Sequence, residues 1–550
     1  MKPLYPRNRL HTHTVDNIPG EPAPANLFTD DPMLVSHVRA AGGQSHELHL
    51  AEFGANAGSE RMIKAGMLAN RNPPVFTPFD RFGQRLDEVE FHPAYHELMA
   101  LGIDGGTTSR AWSHPDAGHV AHCALLFMMS QAETGVTCPM SMTYAALPAL
   151  KHAPNLASVW EPLVLASVYD PQVAPASRKS GVTIGMAMTE KQGGSDVRAN
   201  TTQAQRISDT EYELTGHKWF CSAPMSDAFL TLANTPEGLA CFLVPRWRPD
   251  EERNSIEIQR LKDKLGDRAN ASAEIEYHGA YAEPVGEPGR GIATIIEMVN
   301  HTRLDCVVGA TSLMRQSLSL ATFHVQHRQA FGRRLVDQAL MQRVIADMAL
   351  EVEGHMAALF LLAETFDQSR EDEPALALAR SLTPILKYWS TKRCPVLIAE
   401  AMECLGGAGF VEEHLMPRLY RQAPLNGIWE GSGNVIALDV LRAFQKEPSS
   451  LKAVLSLLAM FGPRDSVFSE HCQQLTKRLS AAVDDEGQAR WHVEQLAKTL
   501  TVCALYHRGS DDLAHAYART RLFDTATTFG GHGYQLDATT LLSRASVFRQ

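Results

Sequence analysis

The chain has 550 residues, a formal net charge of -11, 44% hydrophobic residues and 21% charged residues. This length predicts three or four domains, and the apolar content is sufficient for several cores without disulfides or metals. The acidic balance excludes a generally basic nucleic-acid protein, so any DNA contact would need a local basic patch. Nine scattered cysteines without a C-x-x-C pair indicate reduced thiols in a cytoplasmic protein. No apolar run of about 18 residues occurs, so no membrane span is expected.

The first 180 residues are predicted to form an arm followed by a helical domain. Six prolines within residues 1–40 indicate an irregular arm. Residues 41–180 are predicted to be helical, and residues 119–133 carry an apolar face at helical spacing. His119 and His122 lie one turn apart on that segment. No third ligand is near them in sequence, so we interpret them as packing or capping residues and expect no metal site.

Three further blocks follow. Residues 181–287 contain short runs of Val, Ile, Leu, Phe and Thr separated by Gly, Asp, Asn and Pro, which predicts a β-domain. Residues 288–445 contain three long amphipathic segments joined by short turns, which predicts an antiparallel helical bundle. Residues 446–550 form a predicted C-terminal helical appendix. The predicted fold class is therefore mainly α with a central β-domain.

Common nucleotide-binding and hydrolase motifs are absent from the sequence. It contains no G-x-G-x-x-G after a strand, no P-loop and no G-x-S-x-G nucleophile elbow. Their absence disfavours a Rossmann dehydrogenase and an α/β-hydrolase.

Two segments of the β-domain suit cofactor binding. The segment Met186–Asp196 combines the hydroxyls of Thr189 and Ser195 with glycines, which suits a flavin ring or a phosphate, although a plain turn has the same composition. In Lys218–Ser222, strand alternation places Trp219 and Phe220 on opposite faces, so that one aromatic ring covers a cofactor while Ser222 donates a hydrogen bond. A core strand with one buried aromatic residue is the alternative interpretation.

Two segments of the bundle also carry chemistry. Arg328 lies at the end of a long helix, where it suits a phosphate or simply complements the helix dipole. Glu430 lies between Trp429 and Gly431, and the aromatic ring and the lack of nearby cations are expected to raise the pKa of its carboxyl, as a base working near neutral pH requires. Ser432 and the following residues are expected to begin a helix whose N-terminus meets an anion, and a helix-capping role for Glu430 is the alternative.

Together and in this order, the four segments resemble the acyl-CoA dehydrogenase family, and most closely its AidB-like branch. The resemblance covers about residues 45–445. It implies a helical domain, a β-barrel-like domain and a four-helix bundle, assembled as a homotetramer that is a dimer of dimers. It also implies FAD, lying between the β-domain and the bundle.

The resemblance assigns residues to the cofactor and to the reaction. The implied FAD contacts are Met186, Thr189, Ser195, Phe220, Cys221, Ser222, Trp429, Ser432 and Asn434 and, toward the FAD of a neighbouring subunit, Arg328, Phe331, Gly406 and Gly407. Glu430 matches the catalytic base that removes the α-proton of an acyl-CoA or a related small molecule. Some members carry the base before an arginine on a bundle helix, and that position is Thr302 here. Arg303, which follows it, is interpreted as a residue that orients the site.

The AidB-like branch implies protection against DNA alkylation, double-stranded DNA binding and weak acyl-CoA dehydrogenase activity. An ordinary dehydrogenase for a short or branched acyl-CoA, without DNA binding, is the alternative. Lys191–Gly193 replaces the usual Pro-Gly-Ala, and Glu403 replaces a common glutamine. The appendix has twelve lysines and arginines against eleven acidic residues, so it is less acidic than the rest of the chain. Its candidate DNA-binding residues are Lys477, Arg478, Arg519 and Arg521.

Overall fold

A computed structural model describes residues 7–481, 485–524 and 526–548. It confirms the predicted order of helical domain, β-domain, helical bundle and helical appendix. The first six residues of the predicted arm lie outside the described residues, as do positions 482–484, 525 and 549–550 of the appendix.

The N-terminal block is helical but also contains a β-hairpin that the sequence did not indicate. Its helices are α1 (Pro32–Ala40), α2 (Glu47–Ala57), α3 (Glu60–Arg71), α4 (Pro93–Asp104), α5 (Arg110–Ser113), α6 (Gly118–Ala132), α7 (Thr137–Leu150) and α8 (Pro154–Leu165), and its strands are β1 (Val75–Phe79) and β2 (Arg85–Glu90). The irregular arm was predicted for residues 1–40, but it ends earlier because α1 begins at Pro32. Pro32 occupies the first turn of α1, where proline is tolerated, and the Asp31 carboxylate accepts from the backbone N–H groups of Met33 and Leu34.

The β-domain is a closed, barrel-like sheet. Its strands are β3 (Ile184–Ala187), β4 (Gln203–Arg206), β5 (Tyr212–Ser222), β6 (Ala228–Thr235), β7 (Gly238–Pro245), β8 (Ile256–Leu261) and β9 (Ser272–Val285). The sheet order is β3-β6-β4-β5-β9-β7, β8 pairs with β9, and an additional pairing joins β6 to β7. That pairing closes the ring, so strand edges that would otherwise be free are hydrogen-bonded.

The bundle domain contains the longest helices. They are α9 (Gly291–His327), α10 (Ala339–Gln368), α11 (Glu373–Leu405), α12 (Met416–Gln422) and α13 (Gly433–Lys446), with a small hairpin of β10 (Gln329–Ala330) and β11 (Arg333–Arg334) after α9. Helix α9 has 37 residues and packs on α6 and α7 as well as on α10 and α11. It therefore connects the core of the N-terminal block with that of the bundle.

The appendix is packed on the bundle. Its helices are α14 (Pro448–Phe461), α15 (Ser466–Ala481), α16 (Ala489–His507), α17 (Asp511–Arg521) and α18 (Ala538–Arg544). Helices α16, α17 and α18 all contact α10. Arg521 bridges Asp347, at 2.6 Å, and Glu351 on that helix, and its side chain is only 10% exposed. The prediction that Arg521 binds DNA is therefore wrong, because its guanidinium is already neutralised inside the protein.

All nine cysteines are free and buried. Within the described part of the chain, no helix has the length and apolar character needed to cross a membrane.

Arg521→Met should lower the free energy of unfolding by about 3 kcal/mol, because it leaves buried carboxylates without a cation. Arg519→Met is the matched control, since Arg519 is 41% exposed and lies 4.0 Å from Asp465; a change below about 1 kcal/mol is expected there. Denaturant unfolding of both variants measures the difference. Equal losses of stability would show that the Arg521 cluster does not hold the appendix on the bundle.

Candidate active site

The predicted catalytic segment forms a tight turn just before α13. Glu430 has a φ of 56° and Gly431 a φ of 101°, so two successive residues adopt left-handed backbone conformations. Such a conformation is strained for glutamate and is typical of functional sites. The indole Nε1 of Trp429 donates to Asn426 Oδ1 at 2.9 Å and fixes the start of the turn. As predicted, a helix begins directly after it.

Helix α9 holds both the side chain and the backbone of Glu430. Thr302 Oγ1 lies 2.8 Å from Glu430 Oε2 and donates to the carboxylate. Arg303 Nε donates to the backbone carbonyl of Glu430 at 2.9 Å, and the same guanidinium lies 3.2 Å from Asp439. The interpretation of Arg303 as an orienting residue agrees with this geometry, whereas the capping alternative for Glu430 does not, because the carboxylate turns toward α9.

Burial raises the pKa of Glu430 above its ordinary value, as the sequence predicted. The expected lack of nearby cations is wrong. Lys387 and Arg303 both lie close enough to oppose the rise in pKa, as does the hydroxyl of Thr302, while Asp305 adds to it. The sequence could not reveal these cations, because they come from α9 and α11, far from Glu430 along the chain.

The sequence analysis did not identify Lys387 as a site residue. Its side chain lies on α11, is buried, and donates to the carbonyls of Trp429 at 2.8 Å and Gly431 at 2.5 Å. Lysine is rarely fully buried unless it is paired. The burial of Lys387 therefore marks it as a site residue, and this burial is visible only in the structure.

The β-domain presents the other predicted cofactor residues. Met186 and Thr189 are half-buried, Ser195 is exposed and Ser222 is half-buried. Phe220 is 48% exposed. Cys221 is fully buried in the core of the β-domain, so its side chain points inward and only its backbone is available to contact a ligand at the surface of β5.

Trp219 and Phe220 do not lie on opposite faces as predicted. The pairing of β5 with β9 shifts register between Lys218 and Cys221, which is a β-bulge. As a result the ammonium of Lys262 lies 3.2 Å from the Trp219 ring centroid and 4.6 Å from that of Phe220. Both rings therefore face the same lysine.

A buried ion pair fixes the loop that contains Thr189 and Ser195. Glu190 lies 2.8 Å from Lys218 and also accepts from the backbone and hydroxyl groups of Thr201 and Thr202. Burial opposes the ionisation of Glu190, but the hydrogen bonds from these donors outweigh burial and lower the pKa of Glu190 to about 2. Glu190 from the first β-domain motif and Lys218 from the second therefore stabilise the conformation of this loop.

His119 and His122 are buried, and each pairs with a carboxylate. His119 lies 2.9 Å from Asp367 and His122 lies 2.9 Å from Asp305. Among the described residues, no group of three His, Cys, Asp or Glu side chains is suited to hold a metal ion.

Three family profiles match successive parts of the chain. Residues 17–171 match the adaptive response protein AidB N-terminal domain, residues 185–280 the acyl-CoA dehydrogenase middle domain, and residues 289–445 the acyl-CoA dehydrogenase C-terminal domain. The putative acyl-CoA dehydrogenase AidB of Escherichia coli (strain K12) is 42% identical over 484 residues, which are 88% of this chain and 89% of that protein. The chain belongs to the acyl-CoA dehydrogenase family. It is an AidB-like oxidoreductase of the acyl-CoA dehydrogenase type, and the family is FAD-dependent.

Solved structures agree with this assignment. The Caenorhabditis elegans ACDH-11 structure in complex with C11-CoA has a TM-score of 0.84 and 28% sequence identity, and the match covers 93% of each chain. An acyl-CoA dehydrogenase from Bacillus anthracis complexed with FAD has a TM-score of 0.62 at 16% identity, over 82% of this chain and 86% of that one, which shows the shared fold alone.

The residues at the predicted cofactor positions fit an FAD. Phe220 offers a partly exposed aromatic ring and Ser222 a hydroxyl at the edge of the β-domain. A Cβ atom added to Gly406 or Gly407 would meet nothing within 4 Å, so the backbone there is open to a ligand.

The other cofactor positions lie far from this edge. Arg328 ends α9, 26 residues after Thr302, and the rise of a helix puts the two about 39 Å apart. Phe331 beyond it is 96% exposed. Arg328 therefore lies too far along α9 to contact a ligand bound beside Glu430.

Thr302→Val should raise the pKa of Glu430, because a hydroxyl donor stabilises the ionised carboxylate. The ionised base then forms only at higher pH, so the rising limb of the pH profile for flavin reduction by C11-CoA should move upward by about one pH unit. Stopped-flow flavin reduction, followed from about pH 5 to about pH 9, measures the position of this limb, because that range covers the titration of a carboxyl base. Thr311→Val, buried on the same helix, is the isosteric control and should leave the limb in place. A limb that stays fixed in both variants would remove Thr302 from the site.

Proposed function

We propose that Glu430 is the catalytic base that removes the α-proton of an acyl-CoA thioester. The observation that carries the proposal is the 2.8 Å contact between Thr302 and Glu430. In the family, the base occupies one or the other of these two positions, and here they meet at one point. Burial, which raises the pKa of Glu430, supports the role, because a base is most effective when its pKa approaches the working pH.

The residues around Glu430 have separate roles in this proton transfer. Thr302 binds Oε2 of Glu430 and leaves Oε1 to accept the proton from the α-carbon. Arg303 and Lys387 hold the backbone of the turn, so that the carboxylate keeps its direction. FAD, when bound, accepts the hydride that leaves the β-carbon. The product is an α,β-unsaturated thioester, and the proton remains on Glu430.

The cofactor contacts form part of the same proposal. Beside the flavin ring and its phosphates we assign Met186, Thr189, Ser195, Phe220, Ser222, Trp429, Ser432 and Asn434. Arg328, Phe331, Gly406 and Gly407 then contact the FAD of a neighbouring subunit in a homotetramer. The exposure of Phe331, at 96%, and the open backbone at the two glycines support that arrangement, because a second copy would cover them.

An acyl-CoA is the proposed substrate, and the C11-CoA complex of ACDH-11 supports that class. Aromatic rings pack around the residue that precedes Thr302 on α9. His301 precedes Thr302, and its ring lies 5.3 Å from Trp112, 5.5 Å from Tyr144 and 5.1 Å from Phe366. Trp429 packs in the same apolar cluster as Trp112 and Tyr144. The space around His301 is therefore filled by aromatic side chains.

Glu430→Gln should retain FAD and slow flavin reduction by C4-CoA and C11-CoA at least ~100-fold, because an amide has the shape of the carboxylate but cannot accept the proton. Glu413→Gln, an exposed substitution of the same type, is the control and should reduce at the wild-type rate. Anaerobic stopped-flow absorbance follows the loss of the oxidised flavin band. A Glu430→Gln protein that reduces as fast as wild type would exclude Glu430 as the base.

DNA association and protection against alkylation form a second candidate function, favoured by the match to an adaptive response protein AidB N-terminal domain. Lys477 and Arg478 are exposed on α15, and the Arg478 guanidinium lies 5.2 Å from the Trp491 ring. Arg519 is partly exposed. We therefore propose a reduced patch of Lys477, Arg478 and Arg519, without the buried Arg521. A tetramer would present several copies of it to one duplex.

Charge reversal at Lys477, Arg478 and Arg519 should weaken duplex DNA binding by at least ~10-fold at low salt and flatten its salt dependence, because fewer counterions are released. Fluorescence anisotropy with a labelled duplex at low and moderate salt measures this. The triple reversal of the exposed Arg61, Lys64 and Arg71 on α3 is the charge-matched control. Equal binding by both variants would move the DNA site elsewhere, and no binding by wild type at low salt would exclude DNA association.

A further inference from the structure

A buried lysine spans the two peptide groups on either side of the proposed base. Lys387 is 1% exposed. Its Nζ donates to the carbonyl of Trp429 at 2.8 Å and to that of Gly431 at 2.5 Å. Both hydrogen bonds come from one ammonium group, which therefore connects α11 to the residues that flank Glu430.

The carbonyl between those two has its own cationic donor. Arg303 Nε lies 2.9 Å from the carbonyl oxygen of Glu430. Three successive carbonyls, from Trp429 to Gly431, are thus held by cations from two different helices. Hydrogen bonds from charged donors are stronger than neutral ones, and they are well suited to maintain a turn whose glutamate has a φ of 56°.

We propose that Lys387 is a positioning residue that holds the Trp429–Gly431 turn so that the Glu430 carboxylate points at the substrate. The inference rests on the proposed function of Glu430 as the base. Lys387 touches neither substrate nor the reacting atoms in this role and acts through the turn. A small displacement of a reacting group lowers a rate steeply, so the turn's geometry has a direct kinetic consequence.

The ammonium has a second effect, on the charge of Glu430. The groups that act on this carboxyl are Lys387 from α11, Arg303 and Asp305 from α9, and the thiols of Cys306 on α9 and Cys138 on α7. Burial raises the pKa of both thiols to about 12, so they stay neutral in an ordinary pH range. Lys387 and Arg303 favour the ionised carboxylate, and removal of Lys387 therefore moves the pKa of Glu430 upward.

The test compares three variants of the full-length, FAD-loaded protein with C4-CoA and C11-CoA as probes. Lys387→Met removes the charge and both donors. Flavin reduction should slow by ~10- to 100-fold at saturating substrate, and the rising limb of its pH profile should move to higher pH. Lys387→Gln keeps N–H donors without the charge; it should recover part of the rate while the limb stays shifted. Lys452→Met, exposed on α14, should match wild type.

The outcomes separate the inference from the proposed function. If Glu430→Gln abolishes reduction while Lys387→Met keeps the wild-type rate and pH limb, the role of Lys387 is overturned and the base assignment stands. If Glu430→Gln reduces normally, the base assignment itself fails. If Lys387→Met does not fold or retain FAD, Lys387→Gln decides by the same two readouts. Misfolding of both variants would assign Lys387 to the core alone and would overturn the proposal.

Discussion

The structure around the proposed base depends on one constraint, which is that the peptide groups at Glu430 are held between α9 and α11. Thr302 and Arg303 donate from α9 and Lys387 donates from α11. Thr302 holds the carboxylate, while Arg303 and Lys387 hold the left-handed backbone at Glu430. The position of the carboxylate is therefore set by the packing of two long helices, and it does not depend on the local sequence of the turn alone.

Two buried ion-pair clusters stabilise other parts of the structure. On one side, the ion pair of Glu190 with Lys218 fixes the β-domain loop that carries Thr189 and Ser195. On the other side, the appendix packs on α10 through Arg521 and its two carboxylate partners. Both are buried charge pairs, which are costly to break once they are formed. The first fixes a loop within the β-domain, and the second holds the appendix on the bundle.

Much of this organisation was predictable from the sequence, because hydrophobic periodicity and turn residues are local signals. The three long helices of the bundle, the β-domain and the helix after Ser432 all follow from such signals. The choice of Glu430 followed from a motif, and the resemblance identified Thr302 as the alternative base position, but the contact between the two appears only in the structure.

Features that depend on tertiary packing could not be predicted. An amphipathic helix does not reveal whether a basic residue meets solvent or a buried acid, which is why Arg521 was assigned to DNA. Strand alternation does not reveal a bulge, which is why Trp219 and Phe220 were placed on opposite faces. Lys387 lies 43 positions before Glu430 on another helix, and no local pattern connects the two.

The central claim is that burial keeps the pKa of the Glu430 carboxyl above its ordinary value while cations hold its backbone. Infrared difference spectroscopy between wild type and Glu430→Gln, titrated with isotope-labelled glutamate, measures this most directly. The account predicts a protonated carboxyl band that is present only in wild type and titrates above the ordinary glutamate pKa of about 4.3. A band that titrates at or below that value, or one that persists in Glu430→Gln, would contradict it.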